Sequence, residues 1–156
     1  MLTFRLLIIM HNIITILREA VQRRQALKLP AYERGWLAGI IDGDGSLSLK
    51  QFGKTFCVRV TVTNTNSMII EHLLKVSNVG HVYKREAYDR NKAAYYWEVE
   101  HQHAKQILSQ IVLKGKEAQR KLLLEAQDLI EQQTAGYQPY LKRLEAIRKK
   151  VQELNR

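Results

Sequence analysis

Two glycines stand four residues apart inside a run that otherwise reads as helix: Trp36, Leu37, Ala38, Gly39, Ile40, Ile41, Asp42, Gly43. Each glycine costs a helix interior about 1 kcal/mol relative to alanine, so the pattern needs a compensating contact. Residues four apart share one helix face, and a face without side chains lets a second backbone approach closely, as small residues do at tightly crossed helices. A partner helix is therefore expected against Gly39 and Gly43. Asp44 ends the helix, one residue before Gly45 releases the chain into a strand, which sets its carboxylate at the end of that seam. No second copy of the segment occurs in the chain, so the partner helix must come from a second chain, and two Asp44 carboxylates then stand side by side.

The stretch from Glu33 to Asp44 is the first predicted helix, beginning after the break at Leu29, Pro30 and Ala31. Beyond Gly45, Ser46 to Lys50 alternates polar with apolar, Gly53-Lys54 supplies a turn, and Cys57 to Thr63 alternates again, which predicts a hairpin with one buried face. Asn64 to Ser67 offers capping side chains for a helix carrying Met68, Ile69, Leu73 and Val76, closed by Asn78 and Gly80. His81 to Glu86 and Ala94 to Glu100 form a second predicted hairpin around the polar cluster Asp89, Arg90, Asn91, Lys92. Helices are predicted over Gln102 to Val112, Glu117 to Gln133 and Tyr140 to Leu154. The order is that of an α+β domain of αββαββα type. Residues 1–31 read as an amino-terminal helical extension, a targeting segment or upstream sequence, 32–136 as the core, and 137–156 as a basic amphipathic helix.

Charge is shared unevenly. The chain carries a formal net charge of +10, which suits a polyanionic partner. Residues 46–97, the strand-rich region, hold eight Lys or Arg against three acids, and residues 137–156 hold six against two. The single Cys57 excludes a disulfide framework and a cysteine-rich zinc site, and fits a reducing intracellular setting. Leu2 to Leu17 is mostly apolar, but His11 and Asn12 interrupt it short of a spanning length, so no membrane anchor is expected. Paired carboxylates beside a basic surface repel each other unless a hard cation joins them, and Mg²⁺ held by one or two carboxylates plus phosphate oxygens answers that need. Metal-dependent phosphodiester chemistry follows as the expectation.

The segment Leu37 to Gly45, LAGIIDGDG, resembles almost letter for letter the signature helix of the LAGLIDADG homing endonucleases. The resemblance extends over the following order of hairpin, helix, hairpin and helices, roughly residues 32–134, and the single motif looks like the homodimeric branch. It implies an antiparallel four-stranded saddle sheet with helices packed on one face. Trp36, Leu37, Gly39, Ile40 and Gly43 are then placed at the two-fold contact, and the saddle in the major groove of double-stranded DNA. The resemblance also implies an intron-encoded nuclease, a phosphodiester hydrolase of group I introns. It would cleave a long pseudo-palindromic site with Mg²⁺, in a mitochondrion or chloroplast if organellar, otherwise in the bacterial cytoplasm. By the same resemblance Asp44 and the carbonyl of Gly43 hold the metal, Asp42 is structural, and Asn64 and Lys116 occupy the catalytic edge, with Lys114 a rival to Lys116. Met68 stands where some homodimeric members carry an additional arginine. An RNA maturase assisting group I intron splicing, or a catalytically inactive DNA-binding module, are the alternative functions.

Strand alternation supplies the groove contacts. Leu47, Leu49, Val58, Val60 and Val62 should face the helices, leaving Ser46, Ser48, Lys50, Arg59, Thr61 and Thr63 for the opposite face. Lys50, Arg59 and Arg85 suit guanine edges, with Tyr83 beside Arg85, and Trp97 and Val99 in the core turn Tyr96 and Glu98 toward DNA. A basic sheet with Tyr83, Tyr88, Tyr95 and Tyr96 also suits stacking on single-stranded RNA. A calcium loop starting at Asp42 fails, because its sixth and twelfth positions are Leu47 and Gly53. His101 and His103 read as surface residues at a strand end, and Cys57 as packing rather than a nucleophile.

Overall fold

The computed structural model describes residues 28–87, 92–132 and 138–156. The amino-terminal extension up to residue 27, the Tyr88 ring and the turn at Asp89, Arg90 and Asn91 lie outside the described residues.

Pro30, in an extended conformation, starts helix α1 (Ala31–Asp44) and accepts the amide of Arg34 at 3.0 Å. Leu37 and Ile41, one turn apart, are the two buried residues of α1. Strands β1 (Gly45–Phe52) and β2 (Thr55–Asn64) follow as a hairpin whose turn passes through Gly53 at φ 60°. Helix α2 (Ser67–Ser77) is capped by the Asn66 side chain, which accepts from the Met68 amide at 3.0 Å, and closes on left-handed Asn78. Strands β3 (His81–Arg85) and β4 (Ala94–Glu100) form the second hairpin, and helices α3 (His101–Leu108), α4 (Glu117–Glu131) and α5 (Gln138–Leu154) complete the order.

The sheet is antiparallel in the order β1-β2-β4-β3, so the middle pair is β2 with β4. Every strand residue predicted to face the helices does so: Leu47, Leu49, Val58, Val60, Val62, Trp97 and Val99 are buried. They pack with Leu37, Ile41, Ile70, Leu73, Ile107 and Leu123 from four helices. At about 1.5–3 kcal/mol for each fully buried large aliphatic side chain, this layer outweighs any single polar contact. Leu144, Ile147 and Val151 of α5 join the same core, as does Leu29 ahead of α1. Trp97 fixes the β4 register: its Nε1 donates to the Val79 carbonyl at 2.9 Å. Gly80, at φ 100°, passes so near that a Cβ there would lie 2.6 Å from that nitrogen. Only glycine fits.

The first and last helices each start two residues earlier than expected, at Ala31 and Gln138, and α4 ends at Glu131 rather than Gln133. The helix expected over Gln102 to Val112 stops at Leu108, where the chain turns through Ser109 and Gln110 and then sets Ile111 and Leu113 in the core with Val112 outside. His101 and His103 open α3 rather than finish a strand. No described helix is long and apolar enough to cross a membrane.

Candidate active site and nucleic-acid face

The two acids at the end of α1 do different work. Asp42 turns toward the segment before α4, where Oδ2 accepts the amides of Lys114 at 2.6 Å and Gly115 at 3.2 Å, and Oδ1 accepts that of Lys116 at 3.0 Å. Burial opposes its charge, but the three amides and the nearby Lys116 ammonium outweigh it and hold the Asp42 carboxyl below its ordinary range. Asp42 is an anchor. Asp44 is exposed, and its Oδ2 accepts from Asn64 Nδ2 at 2.8 Å while Asn64 Oδ1 accepts the Asn66 amide at 2.8 Å. The last residue of α1 and the last residue of β2 are thus joined, with Asn64 fixed from both sides.

Lys116 lies close to this end. Its Nζ donates to the carbonyls of Ile41, at 3.1 Å, and Asp42. A cation on the last carbonyls of a helix complements the negative end of its dipole. Lys114 meets α1 through its backbone and keeps an exposed side chain. Asp44, Asn64 and Lys116, the residues the resemblance named, lie at one end of α1; the three-amide clasp on Asp42 spans more than seventy positions and no local pattern announces it.

The glycine face of α1 is open. A Cβ added at Gly39 or Gly43 would meet nothing within 4 Å, and the same holds for Gly35, one turn earlier, which extends the line. Tyr32, 79% exposed, begins it. Trp36 and Ile40 flank it, half-buried, with Trp36 edge-on to His72 of α2 at 4.7 Å between centroids. Leu37 was expected at the two-fold contact and is corrected here: it is 0% exposed, sharing the inward stripe with Ile41 four residues on. Gly45 is different again, for a Cβ there would meet the Ile41 carbonyl oxygen at 2.4 Å.

On the sheet's outer face the register brings the predicted groove residues into rows. Ser48 pairs with Arg59 and Arg59 with Glu100; Ser46 pairs with Thr61, Thr61 with Glu98, and Glu98 with His81; Thr63 pairs with Tyr96 and Tyr96 with Tyr83. Lys50 and Arg85 are exposed at opposite margins. Tyr83 stacks on Tyr96 with rings 4.8 Å apart and nearly parallel, and the Arg85 guanidinium lies 5.7 Å from the Tyr96 centroid. Each ring thus already spends one face on the other.

Arg59, expected as a free reader, is engaged within the chain. Nη2 lies 2.5 Å from Glu100 Oε1, Nε donates to the same oxygen at 2.7 Å, and Nη1 is 3.4 Å from Glu98. Burial works against its charge, but the two carboxylates more than offset it and raise its pKa. These partners lie on β4 directly across from β2, a pairing that depends on sheet order and is hidden in the linear sequence. Cys57 has the parity of the outer face yet is 3% exposed, and burial, followed by the Glu100 charge, pushes its thiol up to about 12. It is no nucleophile in this state.

This arrangement defines a class: an α+β subunit with an open glycine-lined helix, an acid at its end, and a polar four-stranded face beside it. No protein-family model and no curated protein matches the sequence. Solved structures do match the fold. I-CvuI, a homing endonuclease crystallised with its DNA target and calcium, aligns with a TM-score of 0.65 at 21% identity over 79% of this chain and 82% of that one. The archaeal intron-encoded homing endonuclease I-Vdi141I, complexed with DNA, aligns at 0.67 and 14% identity over 79% and 84%. The LAGLIDADG homing endonuclease I-GzeII, in complex with its DNA target, aligns at 0.62 and 16% identity over 79% of this chain but 44% of its own. The chain has the LAGLIDADG homing endonuclease fold, and its own LAGIIDGDG segment runs through the second half of α1 into Gly45, the first residue of β1.

Proposed function

We propose that this protein is a homodimeric, divalent-metal-dependent endonuclease that cleaves both strands of a long, nearly palindromic DNA duplex. The observation that carries the reading is the position of Asp44: exposed, at the end of the open glycine face of α1, and held by Asn64 beside the polar face of the sheet. The similar solved proteins are homing endonucleases in complex with DNA. That the chain aligns with less than half of I-GzeII supports a subunit that works in pairs.

The donor set suits a hard cation. One chain offers the exposed Asp44 carboxylate and the Gly43 carbonyl, oxygen donors only, which fits Mg²⁺ completed by phosphate oxygens and water. When bound, such an ion polarises the scissile phosphate and makes water a stronger nucleophile. The protein's residues do the rest. Asn64 fixes the orientation of Asp44. Lys116 brings positive charge to the edge of the site, where it stabilises charge developing on the phosphate. The Gly35, Gly39 and Gly43 line lets two α1 helices approach until both Asp44 side chains face adjacent phosphodiesters. Ser46, Ser48, Lys50, Thr61, Thr63, Tyr83 and Arg85 contact the groove, and Arg59 reads a base edge only by leaving or sharing Glu98 and Glu100.

Cleavage of the rejoined exons that flank an intron encoding this chain, with Mg²⁺ and with EDTA, tests the reading. Asp44→Asn should abolish cleavage and leave specific duplex binding within a few fold. Loss of both together, or cleavage unaffected by the substitution, overturns the role of Asp44. Specific binding without cleavage by the native protein at any divalent metal would identify the inactive DNA-binding module. Preferential binding of intron RNA over the duplex would identify the maturase.

A further inference from the structure

At the far end of the sheet from Asp44, three side chains of metal-ligating type converge. Cys57 Sγ, a Glu100 carboxylate oxygen and an imidazole nitrogen of His101 all lie within 4.8 Å of one another. The backbone makes this meeting possible. Glu100 is the last residue of β4, and His101 takes the left-handed conformation, φ 49°, as the chain turns into α3. That conformation is uncommon outside glycine, and here it lets two consecutive residues reach the same point. Cys57 supplies the third group from β2, buried beneath them.

We propose that Cys57, Glu100 and His101 form a binding site for Zn²⁺. A sulfur, an imidazole and a carboxylate are the donors zinc takes, at about 2.0–2.3 Å, which sets ligand atoms roughly 3.3–3.8 Å apart around a tetrahedron. The observed spread is within about 1 Å of that, a distance that small side-chain rotations cover. Mixed sulfur and nitrogen donors select against Mg²⁺, so this site and the all-oxygen donors at Asp44 sort different ions. Glu100 is also positioned to serve two partners. Both close contacts of Arg59 use Oε1, leaving the carboxylate able to keep the ion pair while its other oxygen meets the metal, in the manner of a ligand held by an outer hydrogen bond. On binding, the Cys57 proton leaves to solvent and thiolate plus carboxylate balance the two charges of the ion. Three protein ligands leave a fourth position for water or for an acceptor atom of bound duplex. Gly45 and Lys50, which pairs with Cys57, are five residues apart on β1, so the site lies about 17 Å along the strand from the Asp44 end. It is an outer-groove site rather than part of the cleavage centre.

Cobalt titration of the purified, metal-free full chain tests this, because Co²⁺ replaces Zn²⁺ and reports thiolate coordination by an intense near-ultraviolet charge-transfer band. One Co²⁺ per chain with that band, displaced by Zn²⁺ and not by Mg²⁺, is the expected result. Cys57→Ser should remove the band. His101→Asn, which keeps a residue tolerant of the left-handed backbone, and Glu100→Gln should each weaken affinity at least tenfold, while Asp44→Asn should leave it unchanged. Absence of the band at saturating Co²⁺ overturns the proposal, as does an affinity unaffected by both His101→Asn and Glu100→Gln. None of these readouts uses cleavage, so they stand or fall apart from the nuclease reading.

Discussion

Gly39→Ala should act with opposite sign on the isolated subunit and on the pair. In the single chain the new methyl enters open space, so the only change is helix propensity, about 1 kcal/mol in favour of alanine. For a chain of this size that raises the unfolding midpoint by about 2–4 °C. Across a two-fold contact the same methyl appears twice, each against a backbone meant to lie close, and overpacking of this kind costs about 1–3 kcal/mol per site. The pair should weaken by about 2–6 kcal/mol, at least roughly thirtyfold in dissociation constant. Sedimentation equilibrium over a range of concentrations gives the dissociation constant, and thermal unfolding below it gives the subunit stability. Gly45→Ala is the control. Its Cβ would press on the Ile41 backbone, 2.4 Å from the carbonyl oxygen and 2.8 Å from Cα, so it should lower subunit stability directly. A Gly39→Ala protein that dimerises as tightly as the native one would refute the assignment of this face to the contact.

Arg59→Ala should weaken duplex binding for every sequence as well as relax discrimination, because Glu98 and Glu100 are left uncompensated beside phosphates; adding Glu100→Gln should restore part of the affinity, read by filter binding at fixed salt. Asp42→Asn keeps the shape but loses the charge that three amides and Lys116 stabilise, and should cost about 1–3 kcal/mol in urea unfolding. Glu117, hydrogen-bonded by Arg120 and by the Leu113 amide, is held down to about 2 against an ordinary value of 4.5. Its stabilising effect is complete above about pH 4.5 and is lost as pH falls toward 2. Glu117→Gln should therefore flatten the acid limb of the stability curve in that window while lowering stability at neutral pH.

Much of the fold was legible because it is local. The two-residue period of Ser46 to Lys50 and Cys57 to Thr63 assigned the buried and outer faces correctly, and the caps at Asn66 and Asn78 marked the ends of α2. Leu37 was misassigned although its spacing from Ile41 placed both on one inward stripe, because the glycine pattern drew the whole segment to the contact. Gly35 lies outside the LAGIIDGDG segment, yet it lengthens the open line by a turn. The partners of Arg59 could not be read at all. They depend on β4 lying next to β2, and only the three-dimensional order of the sheet brings Glu98 and Glu100 across from it. Cys57, read as a packing residue, is buried as expected, but its nearness to Glu100 and His101 depends on the same strand order and was hidden in the linear sequence.

The clasp on Asp42 also bears on synthesis. All three amide donors and the Lys116 ammonium come from residues 114–116, some seventy positions after the helix they fasten. A polypeptide interrupted before that point carries α1 complete but lacks every partner that fastens Asp42, so the end of that helix is tied down only once the second half of the chain has been made.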